Sequence, residues 1–543
     1  MKKKLLSLLM ALVMLLPLCL AACEADTGNN GNEGENNNNN NGNTEQEGVF
    51  DDLTGFSSTD PKDWGQAKAH DPVVIEADGA FYTFSTDNSG TFGYQVRKSA
   101  DLIHWEWVGN AIPNSGSESD PSGVYTAGTA ELMEVYNLLK SNSLFANNYV
   151  LWAPDITEAA DGGYWLYGCW TAAMYKGVSA IFLCYSEDIE GPYEYVDTLV
   201  YSPNNWANGD PNAIDPSIYY GADGKMYMAY GSFRGGIWVL ELDPQTGLRK
   251  DGNNGVEIQG GSTLSQAERF GTKIMNTSDM EGPVISYHED VAIYPTDLDS
   301  IKNYDASKLT AEDRYYMMGS ANDLSKTYNM RSFYSTSPTS GFTSHVTEAT
   351  AEGNLGNRVS GSFSWRTTSR DGKIRYDFYA PGHNDMITTS DGKNLIVYHN
   401  RITFGSAEHY LFVSMYAFNS RGDLVINPNR YAGETLRKVE ESEVSGKEFY
   451  YVIVDNNAYG SLSKQGYAED GFVLNADNTV TLDGEAAGEW YLYGDNYVYM
   501  QLNDTVYYGV AFPAYIDRDD KQGISISLLS ENGEDVLYMN IAS

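Results

Sequence analysis

What most limits the fold of this chain is a hairpin that recurs five times along it. The first copy, "HDPVVIEADGAFYTFST" from His70 to Thr86, joins a short apolar run, an Ala-Asp-Gly turn and an aromatic strand. The pattern returns as "APDITEAADGGYWLYGCW" from Ala153, "IDPSIYYGADGKMYMAYGSF" from Ile214 and "GHNDMITTSDGKNLIVYHNR" from Gly382. A degenerate copy, "EGPVISYHEDVAIYP", begins at Glu281, and its second strand is delayed to "RYYMMGS" near Tyr315. Short β-branched and aromatic runs around Asp-Gly are hairpin signals.

A weaker repeat follows most copies, in "RKSADLIHWEWVG", "CYSEDIEGPYEYV" and "FYSTSPTSGFTSH". Each unit therefore holds about four strands. Five such units arranged radially make a five-bladed β-propeller, which protects its sheet edges by closing on itself. A β-sandwich would leave the five similar hairpins unexplained. The 53 Gly and 41 Tyr suit an all-β chain rich in turns. "GTAELMEVYNLLKSN" around Leu132 is the exception and reads as an amphipathic helix inserted in a loop.

With 543 residues, 42% of them hydrophobic, the chain can bury a large core and more than one domain. A net charge of −39 excludes nucleic acid as a partner, because phosphate binding needs a basic surface. Acidity of this kind suits a soluble extracellular protein.

In a propeller the innermost strand of each blade lines the central channel. The residues expected to lead those strands are Asp71, Asp155, Asp215, Glu281 and His383. Four carboxylates and one imidazole would then meet at one mouth. Turn residues could produce the same set, but Glu is a poor turn residue. Like charges around one channel are costly unless they serve chemistry.

The N-terminus has a basic start at Lys2, Lys3 and Lys4, an apolar stretch from Leu5 to Leu20, and Leu20-Ala21-Ala22-Cys23. That is a secretory signal over residues 1–23, too short to be a spanning helix. Its last four residues resemble bacterial lipoprotein signals, in which Cys23 would carry lipid; an incidental Cys23 is the alternative. Residues 24–48 are Asn-, Gly- and Glu-rich and read as a disordered tether to a membrane anchor. Cys169 and Cys184 flank a turn and could face each other as a disulfide or remain two unpaired core cysteines.

"HDPVV", "LWAPDI", "NAIDPSI", "GSFRGGI", "MEGPVI" and "GHNDM" occur in an order that resembles glycoside hydrolase family 43, over roughly Phe56 to Glu434. The likeness is greatest to its two-domain bacterial endo-α-1,5-L-arabinanases, and it implies a five-bladed propeller. It implies that Asp71 is the general base, Glu281 the general acid, and Asp215 the carboxylate that positions the acid and raises its pKa. An inverting glycosidase needs one ionised and one protonated carboxyl, roughly 6.5–9.5 Å apart. Glu190 in "IEGPYEY" shares the Glu-Gly-Pro context but falls in the outer repeat and should face solvent.

The resemblance also implies that His383 ligates one metal ion, usually calcium. Calcium prefers six to eight oxygens, so water would have to complete the site; the alternative is that His383 only hydrogen-bonds Asp71 or Asp215. It places Asn212, Ala213, Ile214, Ser232 and Phe233 along the sugar cleft, with Asp71 and Asp215 also touching substrate. It carries Gly177 and Arg234 over as substrate-binding residues too, although the family pattern is altered at both. Trp152 and Trp170 could stack on furanose rings or pack between blades. Asp155 reads as structural, and His70 as a packing or hydrogen-bonding residue.

Residues 49–435 would then be the propeller. Residues 436–543 lack the motifs and read as a small β-barrel or sandwich, a buttress or a glycan-binding module. The expected protein is a monomeric, lipid-anchored extracellular enzyme that cleaves internal α-1,5 bonds of arabinan. Its rivals are an exo-acting arabinofuranosidase or β-xylosidase, and a non-catalytic glycan-binding lipoprotein.

Overall fold

The hairpins assemble into five antiparallel sheets of four strands each, arranged in strict chain order. The computed structural model describes residues 61–542 except 88–92, 113–129, 143–149, 172–177, 204–208, 256–262, 277–278, 352, 368–376 and 456–465. The signal, the tether, Cys23 and Gly177 lie outside the described residues. Blade 1 runs from strand Ala69–Ala77 to Glu106–Asn110, blade 2 from Val150–Glu158 to Glu194–Pro203, and blade 3 from Ser217–Tyr220 to Thr272–Met275. Blade 4 runs from Met280–Ile293 to Asn357–Arg358, and blade 5 from Tyr379–Thr388 to Leu424–Ile426.

Turn chemistry explains the hairpins. In blade 1, Asp78 and Gly79 both take positive φ, 51° and 74°, making the two-residue turn that suits twisted strands. Blades 2, 3 and 5 share a longer turn, in which Gly162, Gly224 and Gly392 donate to Ala159, Gly221 and Thr389. Blade 4 instead inserts a short helix, Leu298–Lys302, before its second strand Thr310–Ala321. The N-terminal segment closes the ring: Lys68 N–H donates to His409 O (2.7 Å) and Leu411 N–H to Gln66 O (2.8 Å). The expected helix is present as α1 (Ala130–Asn142), which buries Leu132, Val135 and Leu139 against blade 2.

Strands from Lys447–Val454 to Val536–Ile541 close into an eight-stranded barrel, which settles the open choice between barrel and sandwich. Phe449, Phe472, Trp490, Met500, Ile526 and Met539 are among the side chains that fill its core. Barrel and propeller share buried polar contacts. The Arg430 guanidinium pairs with Asp517 (3.2 Å) and lies over the Trp64 ring (4.0 Å). Asn429 and Asn540 exchange amide hydrogen bonds of 2.9 and 3.0 Å.

Candidate active site

The inner strands share one kink. Asp71, Ala153, Asp215, Gly282 and His383 all take left-handed φ, between 39° and 60°. The first four of them precede Pro. The strand pairing slips beside the kink in blades 1, 2, 4 and 5. Such bulges re-aim side chains at a channel rim. This corrects the expected alignment of leading positions. Glu281 stands one residue before the kink, level with His70, Trp152, Ile214 and Gly382. Asp155 stands two residues after it, level with Asp385.

In blades 1, 2, 4 and 5 the kink also frees a backbone N–H, and the preceding blade satisfies it. Ala153 N–H donates to Thr86 Oγ1 (2.8 Å), Gly282 N–H to Asp215 Oδ2 (3.2 Å), His383 N–H to Ser320 Oγ (2.7 Å), and Asp71 N–H to His399 Nδ1 (3.2 Å). A backbone group left bare here would cost about 1–3 kcal/mol. The mouth is therefore a ring of blade-to-blade bonds. Deeper in, Asp155 accepts from Ile218 N–H of blade 3, and Asp385 from Val74 N–H of blade 1 (2.8 Å). Asp155 is thus structural.

Asp71, Asp215 and Glu281 are brought together, each at most 8% exposed. Burial raises the Glu281 pKa to about 8, with the Asp215 charge as the second cause. The expectation that Asp215 lifts Glu281 holds in direction, but desolvation is larger. Burial, then the Asp71 charge, also pushes Asp215 well above the usual carboxylate range. Three close carboxyls cannot all be ionised cheaply. Glu281 Oε1 accepts from Tyr328 Oη (2.7 Å) and Oε2 from Ser232 Oγ (3.0 Å). Asp71 Oδ2 accepts from Thr86 Oγ1 (2.7 Å). Because Thr86 already accepts from Ala153 N–H, its own hydrogen is free for Asp71.

Three imidazoles surround Asp71 Oδ1: His383 Nδ1 at 3.2 Å, His70 Nε2 at 3.3 Å and His399 Nδ1 at 3.6 Å. Burial keeps His70 and His399 below the ordinary histidine pKa, so both are neutral rings. His383 retains Nε2 without a partner among the described residues, so it could hold an ion by one nitrogen. Among the described residues no oxygen cage accompanies it, so a calcium ion there would take its other ligands from water. His70, His399 and His409 also cluster, with ligand atoms within 4.8 Å. However, His70 and His409 stack face to face at 4.1 Å, and Arg401 Nη2 lies 3.0 Å from His409 Nε2. Parallel rings beside a guanidinium suit packing, not a cation.

The remaining expected residues divide. Asn212 is buried and its Oδ1 accepts from Ser179 Oγ (2.8 Å). The side chains of Ala213 and Ile214 lie in the core between blades 2 and 3. Phe233 is half-buried with φ 51°, and Arg234 is exposed. Trp152 is half-buried at the rim, level with Glu281, whereas Trp170 is fully buried against Tyr136 and Phe182. Glu190 faces solvent, as expected. Cys169 and Cys184 do not face each other: Cys184 pairs with Leu166, three residues from Cys169, so the two thiols occupy opposite faces of the sheet. Both are free and buried.

Thr86, Tyr328 and His399 touch the carboxyl groups and were missed as site residues. Thr86 and His399 end second strands of repeated hairpins, a position the repeat itself marks. Tyr328 sits in a connection ahead of strand Asn329–Ser335, where no motif signals it.

The profile of glycosyl hydrolases family 43 matches residues 65–296, and that of a C-terminal lipocalin-like domain matches residues 428–538. An extracellular endo-alpha-(1->5)-L-arabinanase 2 of Bacillus subtilis is 26% identical over 87% of this chain and 92% of its own length. Its Thermotoga petrophila counterpart is 27% identical over 89% of this chain and 96% of its own. The crystal structure of the endo-1,5-alpha-L-arabinanase from Thermotoga petrophila superposes with a TM-score of 0.65 at 25% identity, covering 88% of this chain and 99% of that one. Propeller, barrel, motif order and matched profiles agree: the protein is a glycoside hydrolase whose residues 65–296 match family 43.

Proposed function

We propose that the protein hydrolyses internal α-1,5-L-arabinofuranosidic bonds of arabinan with inversion at the anomeric carbon. The observation that carries the chemistry is the unlike setting of two carboxyls: Glu281 stays protonated up to about pH 8, while Asp71 receives the Thr86 hydroxyl. Glu281 gives its proton to the leaving oxygen as the C1–O bond breaks and its electron pair passes to that oxygen. A water oxygen bonds C1 from the opposite face, and Asp71 takes that water's proton. Asp215 holds Gly282 N–H, and so the backbone beside the acid. The half-buried Trp152 on the rim offers a ring face for a sugar.

Both extracellular relatives bear endo-arabinanase names, which supports endo action and an extracellular site of work. The lipoprotein-type signal supports attachment through Cys23. A calcium ion held by His383 Nε2 and water would supply positive charge beside three carboxyls. The test is a time course on linear arabinan with NMR of the first product. Long oligosaccharides of inverted configuration are expected early. Arabinose alone from the outset would replace this reading with exo action, and retained configuration would remove inversion.

A further inference from the structure

The phenol of Tyr328 is held more tightly than a packing residue requires. Its ring lies parallel to His399, with centroids 5.7 Å apart and planes 7° apart. On Gly382 a Cβ would come within 2.3 Å of the Tyr328 ring, so the glycine of "GHNDM" is the space the ring occupies. The residue is 1% exposed and its hydroxyl has one partner among the described residues, Glu281 Oε1.

We propose that Tyr328 is a positioning residue that fixes the proton of the acid on Oε2 of Glu281, the oxygen beside Ser232. The direction of the hydrogen-bond chain decides this. With Tyr328 donating to Oε1, the proton of the neutral acid sits on Oε2, the oxygen 3.0 Å from Ser232 Oγ. In the reverse direction Oε1–H would donate to Tyr328, whose own hydrogen would have no acceptor among the described residues. A buried donor without an acceptor is the costly arrangement. In turnover the glycosidic oxygen takes the Oε2 proton, while Oε1 remains the accepting oxygen and receives the Tyr328 hydrogen more strongly as negative charge develops on the carboxylate.

This inference rests on the acid role of Glu281 proposed above, and its test separates the two. The Glu281 carboxyl is titrated by 13C NMR, assigned with Glu281→Gln, in wild type, in Tyr328→Phe, and with 3,5-difluorotyrosine at 328. Tyr328→Phe keeps the ring between His399 and Gly382, so the fold is retained; the fluorinated ring is nearly isosteric and a stronger donor. Loss of the donor should raise the Glu281 midpoint by about one pH unit, and the fluorinated residue should lower it. On arabinan, kcat of Tyr328→Phe should fall roughly tenfold or more with KM little changed, a loss that shrinks for an aryl arabino-oligosaccharide with a nitrophenolate leaving group, which needs no acid. Coincident titrations in all three proteins, or equal losses on both substrates, overturn the positioning role. Absence of any wild-type turnover on arabinan overturns the proposed function instead, and leaves the titration to decide this one.

Discussion

The imidazole of His383 lies against the α-carbon of Gly282, where a methyl group would come within 3.1 Å of Nδ1. Gly282 also takes φ +60°. The glycine of "MEGPVI" and the histidine of "GHNDM" are thus one contact between neighbouring blades, and Glu281 is fixed one residue away. Gly282→Ala should cost about 1–3 kcal/mol through the left-handed backbone alone. It should also displace His383 from Asp71. A lower Tm with a larger fall in kcat than in substrate affinity is expected from calorimetry and kinetics.

The activity should fall as pH rises through about 8, where Glu281 loses its proton. Removing the charge of Asp215 takes away the second cause of that rise but leaves burial, the first. The alkaline limb of Asp215→Asn should therefore move to lower pH and still lie above the ordinary glutamate value. A pH profile of kcat/KM for both proteins checks it.

Thr86 connects Ala153 N–H to Asp71 Oδ2 through one hydroxyl. Thr86→Val keeps the shape and removes both bonds. It should lower kcat roughly tenfold or more by freeing the base, and cost about 1–3 kcal/mol for the bare N–H. Denaturant unfolding and kinetics on one preparation separate the two effects.

Arg430 and Asp517 are 1% and 0% exposed at the propeller–barrel junction. Asp517→Ala leaves a buried guanidinium without its carboxylate, at about 3–5 kcal/mol. Replacing both by apolar residues of like volume should cost less. Thermal unfolding of the single and double variants distinguishes a structural junction from an incidental one.

Burial raises Glu434 to about 8 from an ordinary 4.5. Its folded pKa lies above the unfolded one, so its contribution is full below about 4.5. It declines by about 1.4 kcal/mol per pH unit up to about 8 and is flat beyond. Glu434→Gln does not titrate, so its Tm relative to wild type should be higher at pH 9 than at pH 5.

How much of this was legible in the sequence depends on the periodicity each feature left there. The five hairpins stand out because Asp-Gly turns and alternating apolar strands are local signals, and they were enough for a closed five-bladed ring. The motifs identified Asp71, Asp215 and Glu281 one by one. Their offset within the inner strands was invisible, because a left-handed residue at Ala153 or His383 leaves no mark in hydrophobic pattern. The choice left open for the cysteines was settled the same way: an odd offset of three across paired strands places them on opposite faces as two unpaired core thiols, and the register is a tertiary fact.

The sequence by itself determined the hairpins and the blade count, since these follow from turn residues and local alternation. Only the tertiary structure decided which groups act on Asp71 and Glu281. His399 reaches the Asp71 N–H because ring closure brings the second strand of blade 5 beside the kink of blade 1, whereas Thr86 meets Asp71 within its own hairpin and Tyr328 meets Glu281 within blade 4, from a connection no motif marks. It also decided the protonation of Glu281, because burial is the larger cause of its rise and burial belongs to the assembled propeller.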